Sequence, residues 1–330
     1  MSDRITLKDI ARRLNLSVAA ISMALHNDPS ISEAQRKRIH EVAESMGYRP
    51  DPGLSALSAY RLKSGVRPAF APLAFAEFNP LGDYWTDTFY YGAREQAERM
   101  GYRLNFHHLS PDLSLKRHAH ILQSQGVRGL ILGPLPTGMT TLDFDWSHFS
   151  VVAIGRSLAH PELNRAAPDV FEALLMAVEK VRQRRSDKIG IAITHEQDHR
   201  VGSIWTAAGA LMCLKGEQIS IFENAEDQEE PFLAWLKKEK PKVVISLQHP
   251  VPDWIRGAGF RVPEDIEVVL LDHDIRLKCP GIQQNFMMVG AAAMTLLHSS
   301  LVQGEVGIPK SRQTLLVQPR WMDLATTDNN

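Results

Sequence analysis

Apolar positions near the start of the chain recur at helical spacing in short, punctuated runs. Leu7, Ile10, Ala11 and Leu14 form one stripe, and Thr6 with Asp9 has the spacing of a cap with a reciprocal carboxylate, which predicts a helix over Leu7 to Leu14. Asn15 breaks it, Ser17 can cap a second helix, and Ile21, Ala24 and Leu25 give that helix its buried face. The turn between them is only a few residues long, the spacing of a helix-turn-helix. His26, Asn27, Asp28, Pro29 and Ser30 make a polar connection. Ser32 then caps a third helix with Gln35 at the capping-box position; Ala34, Ile39, Val42, Ala43 and Met46 are its apolar members and Gly47 its end.

From Val66 onward the period switches back and forth between strand and helix. Candidate strands are Ala69 to Ala76, Arg103 to His107, Gly129 to Leu132, Val151 to Ile154, Lys188 to Ile193, Gln218 to Phe222, Lys242 to Ser246 and Glu267 to Leu271. Candidate helices between them include Thr88 to Met100, Leu115 to Gln125, Phe171 to Arg184, Ile204 to Leu214, Pro231 to Glu239 and Val289 to Val302. Such alternation predicts parallel sheets with helices on both faces. The stretch Arg49 to Gly65, with its prolines and serines, reads as a linker able to become a short helix, with Leu54, Ala56, Leu57 and Ala59 on one side.

Composition adds bounds. At 330 residues and 44% hydrophobic the chain can bury a large core. Its net charge is −1, yet residues 1–65 carry ten Lys/Arg against seven Asp/Glu, so this part is +3 and the remainder −4. A basic excess in the helical head suits phosphate contact, and its modest size calls for two heads bound together. On the second helix Ser17, Val18, Ala19, Ser22 and Met23 face outward. The N-terminal part of such a helix enters the major groove of double-stranded DNA, where Val18, Ala19 and Met23 would meet thymine methyl groups, and Ser17 and Ser22 would hold phosphates. Cys213 and Cys279 match no metal spacing and are expected to be reduced packing residues. No signal peptide and no membrane span is expected, which makes the expected location the cytoplasm.

The residues also carry a resemblance. Thr6-Leu7-Lys8-Asp9-Ile10-Ala11, the run Leu16 to His26, and Tyr48-Arg49-Pro50-Asp51 resemble the heads of lac repressor family (LacI/GalR) transcription regulators. The phrases Gly101-Tyr102, Gly126 to Leu132, Arg261 to Val269 and Leu316-Val317-Gln318-Pro319-Arg320 are similar to that family's core. The resemblance implies a small all-α helix-turn-helix head (1–48), a hinge helix or linker (49–65), and an α/β two-lobed, periplasmic-binding-protein-like core with parallel sheets (66–330). Lobe 1 is placed at about 66–160 and 286–316, and lobe 2 at about 161–285 and 317–330. It further implies a homodimer on a near-palindromic operator, a repressor in sign, with a small-molecule effector of carbohydrate type between the lobes, no cofactor and no enzymatic activity. DNA contacts carried over are Thr6, Leu7, Ser17, Val18, Ala19, Ser22, Met23, His26, Ser30, Tyr48 and the minor-groove wedge Leu57. Effector contacts carried over are Asp83, Trp85, Arg200, Asp272 and Gln284. Ala20, Met23 and His26 depart from the family's usual residues, which implies an unusual operator. Ser55, Gln248-His249 and Asp169-Val170 depart as well, which implies an altered ligand.

Alternative readings rest on particular motifs. His195-Glu196-Gln197-Asp198-His199 is a literal H-E-x-x-H; a zinc protease needs it on a helix, and here it follows a strand and is expected to be a loop before Arg200. Gly257-Ala258-Gly259 is expected to be a helix-ending turn and not a dinucleotide fingerprint. His107, His108, His118 and His120 are read as scattered surface polarity. A binding protein without regulatory role is the remaining rival.

Overall fold

The computed structural model describes residues 5, 7–25, 31–46, 48, 72–82, 84–184, 187–224 and 228–323. The head holds α1 (Leu7–Leu14), α2 (Val18–Leu25) and α3 (Glu33–Ser45). Asn15 takes a positive φ of 54°, a conformation asparagine tolerates better than most residues, and this turns the chain between α1 and α2. Ser17 Oγ accepts from Ala20 N–H at 3.1 Å and Ser32 Oγ from Gln35 N–H at 3.4 Å, so both expected caps form. Ile10, Ile21 and Ile39, one from each helix, meet at the centre with no exposed surface. Each contributes about 1.5–3 kcal/mol of burial, which is how so small a unit holds three helices together.

The core contains two six-stranded sheets. The first has the order β11-β5-β4-β3-β1-β2, from Thr314–Val317, Asn164–Pro168, Ser150–Ile154, Gly129–Leu132, Leu73–Glu77 and Leu104–His108. The second has the order β12-β10-β9-β8-β6-β7, from Arg320–Met322, Gly281–Gln283, Glu267–Leu270, Val243–Ser246, Ile189–Thr194 and Ile219–Asn224. All pairings are parallel except β10 with β12. The central strands β1, β4, β6 and β8 are buried along their length, as unbroken apolar runs covered by helices on both faces must be.

Those helices are α4 (Tyr84–Arg99) and α11 (Phe286–Gln303) on one face of the first sheet, with α5 (Leu115–Ser124) on the other. On the second sheet α6 (Val170–Arg182) and α8 (Ile204–Leu214) cover one face, while α9 (Glu229–Glu239) and α10 (Val251–Gly257) cover the other. The chain passes between sheets after Pro168, after Gln283 and after Val317. The three passages are tied together: Asp169 N–H donates to Val317 O at 2.9 Å, and Asn285 Nδ2 donates to Gln318 O at 2.7 Å.

Several expectations change. Strand β5 was not expected, since Asn164-Arg165-Ala166-Ala167-Pro168 lacks β-branched residues; it lies in the first sheet, which moves the first crossing from 160–161 to 168–170. His195–His199, expected as a loop, is a short helix, α7. His118 is 2% exposed and is therefore interior and not surface; its Nδ1 lies 3.0 Å from Nε2 of the half-buried His107. Cys279 is buried as expected, whereas Cys213 is exposed. Helix α11 spans 18 residues with mean hydropathy 1.4, long and apolar enough to cross a membrane by composition. Its Val289, Ala293, Met294 and Leu297 pack instead into the cluster formed with α4 and the first sheet.

Helices α4 and α11 approach so closely that their glycines have no spare room. A Cβ on Gly92 would stand 2.0 Å from Met287 O, and one on Gly290 would stand 2.1 Å from Phe89 O. Gly92→Ala or Gly290→Ala must therefore spread the pair, with an expected loss of about 1–3 kcal/mol. Denaturant melts of the two variants check this, and an unchanged midpoint in both would refute the tight crossing.

Candidate effector cleft and DNA-reading head

A cavity of about 220 Å³ lies between the lobes, at the carboxyl ends of the strands. Pro134 follows β3, Arg156 and Ser157 follow β4, Pro168 ends β5, Arg200 and Val201 follow β6 and its helix, Leu247 follows β8, and Gln284 follows β10. Trp205 and Phe286, at the starts of α8 and α11, complete an apolar wall. Of the expected effector residues, Arg200 and Gln284 line this cavity. Trp85 stands one ring away, edge-on to Phe286 at 4.9 Å between centroids. Asp83 lies outside the described residues.

Asp272 has a different engagement from the one expected. It is not among the residues lining the cavity. Its carboxylate lies 3.5 Å from His249 Nε2, which also faces the Asp272 backbone oxygen at 3.1 Å. The Asp272 side chain, by hydrogen bond and then by charge, lifts His249 above its ordinary 6.5 against the effect of burial. Burial in turn raises the Asp272 carboxyl above 3.8, with His249 opposing.

The position of Arg200 is built by the H-E-x-x-H segment. Thr194 Oγ1 accepts from Gln197 N–H at 3.1 Å and Thr194 N–H donates to Gln197 Oε1 at 3.1 Å, a reciprocal cap that forms α7. Asp198, 2% exposed, accepts from the backbone N–H of Trp205 at 2.9 Å and of Thr206 at 3.3 Å. It thus caps α8 from outside, because Ser203, at φ 57°, makes no side-chain cap of its own. Between these two caps Arg200 is held so that its Nη2 donates to Leu135 O at 2.9 Å, from the second lobe to the first. Leu135 N–H in turn donates to Ser157 Oγ at 2.8 Å.

The zinc reading needs three ligands around one point. His195 and His199 stack with centroids 6.2 Å apart, and His195 Nδ1 is engaged by Glu223 at 2.7 Å. Among the described residues no group of three or more His, Cys, Asp and Glu is arranged to hold a metal.

On the head, Val18 is 40% exposed at the start of α2 and Ser17 is exposed beside it, while Leu7 and Tyr48 are half-buried against the head's core and serve packing first. Ala19, Ser22 and Met23 fall on α2, but their side chains lie outside what the structure describes, as do residues Thr6, His26, Ser30 and Leu57. Sequence reasoning missed Arg156, Ser157, Trp205 and Phe286. A signal for the first two was present, since Gly155-Arg156-Ser157 directly follows a buried strand.

A three-helix head with a helix-turn-helix and two parallel α/β lobes around a cleft define the fold. The family model described as bacterial regulatory proteins, lacI family, matches residues 6–51. The regulator PtxS of Pseudomonas putida is 31% identical over 167 residues, 49% of this chain and 45% of that protein, so the matched stretch spans about half the length of each. A lac repressor dimer bound to operator and the anti-inducer ONPF aligns over 98% of this chain and 99% of that one, with TM-score 0.57 and 16% identity. A CelR–cellobiose complex aligns over 97% and 98%, with TM-score 0.56 and 16% identity. Residues 6–51 are thus similar to the lacI-family head, and the matched relatives PtxS and GalR are transcriptional regulators.

Removing the Asp198 carboxylate leaves the buried Trp205 N–H and the half-buried Thr206 N–H unmet. Asp198→Ala is expected to cost about 1–3 kcal/mol, with Asp198→Asn recovering most of it; calorimetric melts of both variants decide. His249 gives a second expectation. A histidine whose folded pKa is raised adds stability that is complete below its unfolded value of 6.5 and is lost as pH rises through the folded pKa. The melting advantage of the parent over His249→Gln should thus be larger at about pH 6 than at about pH 8.5. An equal gap at both would contradict the pairing.

Proposed function

We propose that this chain is a sequence-specific DNA-binding transcriptional regulator, a repressor in sign, working in the cytoplasm as a homodimer on a near-palindromic operator. Its hold on DNA is set by a small molecule bound between the lobes. The observation that carries the reading is one chain holding both an outward-facing α2 with exposed Val18 and a cleft at the carboxyl strand ends lined by Arg200 and Gln284. Two heads on one duplex make up for the modest basic excess of each.

Val18 with Ala19 and Met23 reads base edges rich in thymine methyls, and Ser17 keeps its hydroxyl proton for a phosphate while its oxygen caps α2. Leu57 is assigned the minor-groove wedge by resemblance, and lies outside the described residues. A sugar-sized polar molecule is what the cavity of about 220 Å³ suits.

The test is selection of bound duplexes from a random pool by the purified full chain at fixed salt. An inverted repeat is the expected product, and Leu57→Ala should weaken binding to it by about tenfold or more, since a lost wedge forfeits a few kcal/mol of bending compensation. Recovery of no preferred sequence with or without candidate ligands would favour the non-regulatory binding protein instead.

A further inference from the structure

Two arginines line the cleft from different lobes, and neither has an acidic partner among the described residues. Arg156 follows β4 of the first lobe; its Nε is buried and finds no hydrogen bond. Arg200 comes from the second lobe, and the bond it makes is to a neutral carbonyl, that of Leu135, at 2.9 Å. Among the described residues no carboxylate lines the cavity, and neither arginine belongs to an ion pair.

Both arginines are half-buried, and a partly desolvated guanidinium without a counter-charge gains when an anion supplies both charge and acceptors. The corner is positive beyond these two groups. Arg165 is 4% exposed, and its pKa is lowered first by burial and then by the charges of Arg312 and Arg156. Glu162 offsets part of this through Arg312 at 2.6 Å, and it is exposed, outside the cleft lining.

We infer that the effector is an anion, a small polyhydroxylated acid whose carboxylate or phosphate is held by Arg156 and Arg200 together, with Trp205 and Phe286 covering its apolar face. This rests on the reading of the cleft as the effector site and names the ligand's chemical class. Planar guanidinia suit both oxyanions, since each offers paired N–H donors. The anion would take Arg200 away from Leu135 O, a neutral acceptor, and so replace a bond between the lobes by one through the ligand. Ser157, bonded to Leu135 N–H, sits beside Arg156 in the same network. Arg156 is therefore the residue that makes the site choose an acid over its neutral counterpart.

The experiment is titration calorimetry of the full chain with D-gluconate, D-galacturonate and D-glucose 6-phosphate, each against its neutral counterpart: D-gluconamide, the methyl ester of D-galacturonic acid and D-glucose. At least one acid should bind saturably, with its neutral counterpart weaker by about tenfold or more, as loss of a charge-assisted bond implies. Whether carboxylates or phosphates bind identifies the source of the anion. Arg156→Gln should remove that preference while leaving the unliganded melting temperature equal or higher, because it deletes a half-buried charge whose Nε makes no hydrogen bond. Neutral sugars binding as well as the acids, with no response to Arg156→Gln, overturns the inference and leaves the effector cleft standing. No acid binding, in a protein that still selects an inverted repeat, overturns it as well and leaves the DNA reading intact. Acid binding without any selected duplex supports it and removes the regulator reading instead.

Discussion

The hydrogen bond from Arg200 to the Leu135 carbonyl crosses from one lobe to the other, and much of the core exists to hold its ends. On one side the buried Asp198 fixes the turn before α8, and the Thr194–Gln197 cap fixes α7. On the other, Ser157 steadies Leu135 from the end of β4. A neutral carbonyl is a modest partner for a guanidinium, worth about 1.5–3 kcal/mol as a bond to a charged group. That scale matches the coupling energies of ligand-driven switches, about 1–3 kcal/mol, so exchange of this one bond is enough to shift a balance between lobe arrangements.

The lobes can move in only a few ways. Three passages of chain join them, and Asp169, Val317, Asn285 and Gln318 bind these passages to one another. A hinge made of three linked strands favours rotation about one axis over sliding. Helices α4 and α11 cross closely at Gly92 and Gly290 in the first lobe beside that axis.

Much of this was legible in the sequence where periodicity was strong. Helices α1 and α8 run over the residues their apolar stripes predicted, and the caps at Ser17 and Ser32 form because the hydroxyl and the third N–H are a fixed distance apart in any helix start. What escaped had weak local signals. Strand β5 is held by its neighbours β4 and β11 rather than by its own residues, and β10 is three residues long. The α7 helix was missed although Thr194-x-x-Gln197 is a capping box, because a strand ran directly into it. For the site, Arg200 and Gln284 came from family likeness, whereas Arg156 could have been found from its place just after a buried strand. Asp272 looked like a ligand contact because it follows β9, yet the partner that claims it, His249, comes from a loop 23 residues earlier, which no local pattern reveals.

Head and core are joined through a segment that the sequence marks as a hinge, and the central claim is that occupancy of the cleft and affinity for DNA are linked. Its most direct test is reciprocal. Affinity for a selected duplex is measured with the cleft empty and saturated, and ligand affinity is measured with and without that duplex. The same factor is expected in both directions, about 5–150-fold. A factor of one in both, with each partner still binding, would contradict it.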